Sequence, residues 1–228
     1  MNKNFTAVCA ALLMCAMIFI FYGTFVLGNN VTFAEEACQK EIYLTFDDGP
    51  SDKVTPKILD VLKEENVKAT FFIIGKNAET RKNLLKRAAD EGHTVAVHSY
   101  SHVYKEIYAS PESLLNDIEK CNDIIESVTG KRANVYRFPG GSFGLDEKLI
   151  SAVTNFGMRY VDWNASTRDA ELTAPTPEQL YSAAVTTPAD RNRVVLLAHD
   201  STTKTTTAKA LKSIIKYYRE KGYSFETF

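Results

Sequence analysis

Two adjacent carboxylates followed by a forced turn, Thr45-Phe46-Asp47-Asp48-Gly49-Pro50, form the chemically richest stretch of the sequence. The run before them, Ile42-Tyr43-Leu44, is apolar and β-prone, so the pair lies where a strand stops. Pro50 fixes φ and lacks an N–H, and Gly49 tolerates backbone that other residues do not. Neighbouring carboxylates repel, and a metal ion relieves this if one ligates it while the other faces an activated water. His98 and His102 stand four apart in His98-Ser99-Tyr100-Ser101-His102. On a helical turn that spacing puts both imidazoles on one side, close enough to share an ion. With one carboxylate of Asp47-Asp48 they make a His₂Asp donor set, which suits Zn²⁺ and leaves room for water and substrate.

Three further elements carry chemistry. Arg137-Phe138-Pro139-Gly140-Gly141 offers a guanidinium to pair with the carboxylate that does not bind the metal, and a glycine N–H able to approach a developing oxyanion. Asp162-Trp163-Asn164 leads through to Asp169, and Leu197-Ala198-His199-Asp200 supplies a further imidazole. His93 opens a strand and reads as structural.

The elements that must position these groups follow from periodicity. Strands are expected at Ile42–Phe46, Ala69–Ile74, His93–Val97, Asn134–Phe138, Met158–Trp163, Val194–Ala198 and Tyr223–Phe228. Helices are expected at Val54–Glu65, Asn77–Glu91, Pro111–Gly130, Asp146–Phe156, Pro177–Val185 and Thr206–Lys221. Ser110-Pro111 caps the long helix, and Thr176 with Gln179 forms a capping box. Strands alternating with helices give an α/β class with a parallel sheet, and every polar signature falls at a strand's C-terminal end. That placement fits a β/α barrel ahead of a doubly wound open sheet.

The motifs TFDDGP, HSYSH, RFPGG, Trp163-x₅-Asp169 and LAH resemble, in order, those of the polysaccharide deacetylase family. This is the NodB-homology domain of carbohydrate esterase family 4, and the resemblance covers about residues 41–228. It implies a distorted (β/α)7 barrel (NodB-like) and hydrolysis of an N-acetylhexosamine acetamide in a polymer. It also implies Asp47 as general base, a metal on Asp48, His98 and His102, and Arg137 buttressing Asp47. The Gly140 N–H would serve the oxyanion, His199 would be the general acid held by Asp169, and Trp163 and Leu197 would wall the acetyl pocket. Asp162 competes with Asp169 for the acid-partner role. The family often carries a bulkier residue, commonly Tyr, where Gly140 stands, and Trp where Ala170 stands.

The cofactor expected is a divalent metal, Zn²⁺ first, with Co²⁺ or Mn²⁺ as alternatives. The substrate expected is peptidoglycan, GlcNAc ahead of MurNAc. Alternatives are a chitin-like oligosaccharide, an O-acetylated glycan, or non-catalytic glycan binding on the same fold.

The chain has 228 residues, one sizeable core's worth, and a net charge of −1, which gives no case for nucleic acid. Residues 1–34 read as a signal-anchor segment with the start of a tether, and 35–228 as the catalytic domain. No charge occurs from Asn4 to Ala34, and the 23 residues Phe5–Leu27 are almost wholly apolar. At ~1.5 Å per residue they reach across the ~30 Å of a bilayer's hydrocarbon. The expectation is single-pass attachment to the cell membrane with the catalytic domain outside the cytoplasm. Cleavage after Thr32-Phe33-Ala34 would release it as a secreted protein. Cys9 and Cys15 fall inside the apolar span. Cys38 and Cys121 remain, and their pairing is open.

Overall fold

The computed structural model describes residues 39–228. The apolar span, Cys9, Cys15 and Cys38 lie outside them. No helix among the described residues is long and apolar enough to cross a membrane.

Strand β1 (Glu41–Gly49) is the axis of a parallel sheet. Its partners are β2 (Thr70–Ile74) and β7 (Arg193–His199), with β8 (Ser224–Glu226) beside its first residues. Outward lie β3 (Thr94–Ser99), β4 (Val135–Tyr136) and β5 (Arg159–Tyr160) on one side and β6 (Ala165–Ser166) on the other, in the order β5-β4-β3-β2-β1-β7-β6. The expected strand 158–163 therefore shrinks to β5, and a further short strand, β6, follows at the opposite edge.

That break dictates the shape. A flat sheet with six gaps of ~4.8 Å would separate its edges by ~29 Å. Tyr160 and Ala165 are five Cα steps apart, which reach ~18 Å at most. The sheet has to curl until its edges face each other. The connecting segment then bonds to the strand next to each edge: the Val161 N–H to Tyr136 O of β4 (2.9 Å) and the Asn164 N–H to Val195 O of β7 (3.1 Å). Asp162 and Trp163 sit in that seam, where β5 and β6 share no ladder. The result is a distorted barrel, open at one place.

Alternation along the strands gives the barrel two cores. Ile42, Leu44 and Phe46 of β1 face outward. They pack with buried residues of α1 (Thr55–Glu64) and α8 (Thr205–Glu220), among them Ile58, Leu62, Leu211 and Ile215. Each such side chain contributes about 1.5–3 kcal/mol. The second core is small and lies inside: Phe72, Ala96 and Val135, with Val161 and Phe228 against them. Phe228 stacks on Tyr43 at 4.5 Å between centroids, filling the N-terminal mouth of the barrel. Two strand positions nearer the C-terminal mouth, the inward residues change from apolar to polar, and the site begins there.

Helices α5 (Pro111–Thr129) and α7 (Pro177–Thr186) start as their sequences require. Ser110 accepts from the Ser113 N–H, and Thr176 and Gln179 form the reciprocal box. The segment expected as one helix at 77–91 is instead α2 (Gly75–Thr80) and α3 (Lys82–Asp90). Arg81 between them leaves helical backbone, with its guanidinium drawn to Asp52 and to the Asn77 carbonyl. A short α4 (Tyr104–Ile107) and α6 (Glu147–Asn155) complete the described helices.

Candidate active site

Consecutive residues on a strand point to opposite faces, so Asp47 and Asp48 could not share a cleft on regular backbone. A register shift between Asp47 and Gly49 solves this, with Asp48 at φ 75°. Asp48 also has its carbonyl held by the Asn77 side chain at 2.9 Å. Gly49 is required for a different reason. Asp200 is fully buried against it, and a Cβ there would collide with the Asp200 carboxylate. Asp200 accepts from Thr55 Oγ1 (2.6 Å), and its own N–H reaches Asp47 O (3.1 Å). Burial raises its carboxyl to about 7 despite that hydroxyl. It is a scaffold beneath the turn, away from the His199 ring nitrogens' partners.

The Asp48, His98 and His102 ligand atoms lie within 4.8 Å of one another. Asp48 Oδ1 is 3.4 Å from His98 Nε2 and 3.3 Å from His102 Nε2. The helical turn expected for the two histidines does not exist. His98 is on β3, and His102 sits in left-handed backbone at φ 57°. The physical reason is Asp117 of α5, whose carboxylate accepts from the Tyr100 and Ser101 N–H groups and the Ser99 hydroxyl. Ser99 Oγ in turn accepts from the His102 N–H at 2.8 Å. A polar clamp, rather than helix periodicity, brings the imidazoles together.

Their protonation fits a metal. His98 Nδ1 lies 2.8 Å from the Arg137 carbonyl, which can only accept, so a neutral His98 carries its lone pair on Nε2. Burial first, then the closeness of a second imidazole, pushes His102 below its ordinary value and favours the neutral ring. Against the penalty of burial, the surrounding imidazoles hold Asp48 at about 2. Asp48 Oδ1 is buried and makes no hydrogen bond. A buried carboxylate oxygen facing two imidazole nitrogens asks for a cation, and the N/N/O set suits Zn²⁺.

Arg137 is 0% exposed. Its guanidinium donates to Asp47 Oδ1 (2.9 Å), Thr45 Oγ1 (2.7 Å), Val161 O (3.1 Å) and Asp162 O (3.2 Å). It rests on the Phe72 ring at 4.1 Å, the top of the inner apolar core. Pairing and near-complete hydrogen bonding make such a buried charge tolerable, and they leave Asp47 one orientation.

His199 pairs with Asp47 in the β1–β7 register, so their side chains share the inner face. Asp169, rather than Asp162, is its carboxylate partner. The Asp169 side chain lies 2.7 Å from His199 Nδ1 and accepts from the His199 N–H (2.9 Å) and Thr207 Oγ1 (2.7 Å). Burial disfavours the imidazolium, but the hydrogen bond and charge of Asp169 overcome it, and His199 rises to about 9. Asp169 is itself lowered against its burial by His199 and Thr207. Asp162 instead accepts from the Ser142 N–H (3.0 Å) and hydroxyl, anchoring the loop after Gly140.

Gly140 has φ 81°. Trp163 is half-buried in the seam, 5.7 Å from the Arg137 guanidinium and close against Gly141. Leu197 is buried on β7, and its carbonyl accepts from the Thr167 N–H at 2.9 Å. His93 is far from these groups along β3's start, accepting from the Ala69 N–H and lowered to about 4 by burial. Cys121 is fully buried, its thiol 3.3 Å from Ile73 O.

Several supporting residues gave no sequence signal. Asp117, Asn77, Thr207 and Lys204, whose ammonium reaches Asp169 O at 2.7 Å, lie in ordinary helical stretches or loops. Thr45 could have been found: it is two residues before Asp47 on one strand and so shares its face.

The polysaccharide deacetylase profile matches residues 34–161. A peptidoglycan-N-acetylglucosamine deacetylase of Bacillus cereus is 34% identical over 194 residues, 83% of this chain and 70% of that protein. A peptidoglycan-N-acetylmuramic acid deacetylase of Bacillus subtilis is 30% identical over 207 residues, 90% of this chain and 74% of that protein. The crystal structure of the catalytic domain of a peptidoglycan N-acetylglucosamine deacetylase from Eubacterium rectale superposes with a TM-score of 0.77. Its identity is 39%, covering 83% of this chain and 88% of that one.

Proposed function

The chain belongs to the polysaccharide deacetylase family, and on that premise we propose that it is a metal-dependent hydrolase of N-acetylhexosamine units in peptidoglycan, GlcNAc before MurNAc. The observation that carries the metal dependence is the buried Asp48 Oδ1, without a hydrogen bond and facing two imidazole nitrogens.

An amide needs a polarised carbonyl, a strong nucleophile and a protonated leaving group. A divalent cation on Asp48, His98 and His102 would supply the first and acidify a nearby water for the second. Asp47, aimed by Arg137, takes the proton as that water's oxygen bonds to the acetyl carbon. The Gly140 N–H meets the negative charge on the carbonyl oxygen. His199, kept as an imidazolium by Asp169, gives its proton to the sugar nitrogen as the C–N bond breaks. Acetate and a free amine result. Base and acid stand side by side on neighbouring strands at one register, so both reach a single acetamide.

The apolar span at 5–27 supports attachment to the cell membrane, with this domain on the extracytoplasmic side and in reach of the wall. Cleavage of that span would make the protein secreted. The relatives from B. cereus and E. rectale support GlcNAc as the preferred sugar, and that from B. subtilis keeps MurNAc as the second.

The test is acetate and amine release by the purified chain from peptidoglycan, chitooligosaccharides and acetylated xylan, with Zn²⁺, Co²⁺ or Mn²⁺ and after chelation. Metal-dependent amine on peptidoglycan glucosamine is expected. Amine only from chitooligosaccharides, acetate only from xylan, or turnover that survives chelation would overturn the corresponding part of the proposal.

A further inference from the structure

Two aromatic side chains at the mouth of the site have no role in the chemistry above. Tyr104 begins α4 just after the ligand His102, and its ring meets the His102 ring edge-on at 5.4 Å. A Cβ built on Gly140 would lie 3.3 Å from the Tyr104 ring edge and hydroxyl. Tyr104 therefore occupies the space beside Gly140 that a side chain there would fill. It is held from behind by Tyr108, edge-on at 5.9 Å, whose hydroxyl donates to Pro139 O at 2.8 Å. Yet Tyr104 itself is 47% exposed. The second aromatic is Phe143, 99% exposed, three residues beyond Gly140. Its loop is not slack, because the neighbouring Ser142 is fixed to Asp162 through both its N–H and its hydroxyl.

The anchored loop therefore presents the whole Phe143 ring to solvent at a fixed place beside the site, open to an apolar partner. We propose that Tyr104 and Phe143 form an aromatic rim on which pyranose rings of the glycan chain stack, Tyr104 against the reacting sugar and Phe143 against a neighbouring one. The apolar C–H face of a pyranose suits an aromatic ring, and both rings border the loop whose Gly140 N–H would meet the acetyl group in the proposed reaction. Among exposed large apolar residues, Tyr104 and Phe143 touch or adjoin Gly140, whereas Phe156 lies at the far end of α6. The chain thus carries aromatic contact surface beside Gly140 rather than on residue 140 itself. The inference rests on the deacetylase reading.

The test measures kcat and KM on N-acetylglucosamine oligomers from two to five sugars, with metal content and Tm alongside. Phe143→Ser changes no buried contact, so its Tm and metal content should match wild type. Its KM should rise about tenfold on the pentamer and less on the dimer. Tyr104→Ala should raise KM at every length, and Tyr104→Phe should restore most of the loss, since the ring is what stacks. Phe156→Ser is the control and should change neither constant. KM within twofold of wild type at all lengths for Phe143→Ser and Tyr104→Ala would overturn the rim, as would a loss independent of chain length for Phe143→Ser. Failure of the wild-type chain to release any amine would instead sink the deacetylase reading.

Discussion

The site contains two groupings of the same residue types with opposite electrostatic outcomes. At one, Asp48 faces His98 and His102, keeps a buried oxygen without a hydrogen bond, and sits beside a His102 disposed to be neutral. At the other, Asp169 accepts from an imidazole, a backbone N–H and a hydroxyl, and it keeps His199 charged up to about pH 9. An Asp and a His do not determine their own chemistry. Whether the carboxylate is starved of donors or saturated by them decides between a cation site and a proton donor. Asp47 lies between, locked by Arg137, and belongs to neither.

The strongest way to probe this division is at Asp47. Asp47→Asn keeps the shape and the Arg137 contact but cannot take the water's proton. Turnover should fall about 10²–10⁴-fold with bound metal unchanged. Near-wild-type turnover in a metal-loaded variant would remove Asp47 from the reaction.

Asp169→Asn should act more moderately, on the pH profile. Without the charge that raises it, the His199 pKa drops, so the basic limb of kcat/KM moves to lower pH and the maximum falls. The sign for stability is also fixed. A histidine raised above its unfolded value of about 6.5 adds stability that is complete below that pH and lost as pH rises through about 9. The wild-type Tm should therefore decline over that window more than that of Asp169→Asn. Equal declines, with an unmoved basic limb, would dissolve the contrast between the two groupings.

The smallest effect is expected at Asp162. It anchors Ser142, so Asp162→Asn should cost about 1 kcal/mol in stability and leave the basic limb in place. A limb that moves for Asp162→Asn would mean that the seam communicates with His199.

Much of this was legible in the sequence because strand ends were. The DDGP turn, the Arg137 strand end and the LAH strand end mark three neighbouring positions at one mouth of the barrel, and parallel topology alone brings them together. The choice of Asp169 over Asp162 follows from the spacing after Trp163 in the fourth motif, while Asp162 and Trp163 themselves lie in the seam between β5 and β6. The seam was illegible because apolar periodicity over Met158–Tyr160 looks the same whether a strand continues or stops, and the curl that stops it is a property of the whole sheet. The histidine turn was misread for a similar reason: the groups that shape it sit on Asp117, a distant helix residue whose polarity looks like solvent exposure.

The most direct test is metal stoichiometry of His102→Ala and Asp169→Asn, purified side by side from the same metal supply. About one ion per chain is expected in Asp169→Asn, as in the wild type, and marked loss in His102→Ala. A full complement in His102→Ala, or loss in Asp169→Asn, would contradict the division of the site into a cation-binding half and a proton-donating half.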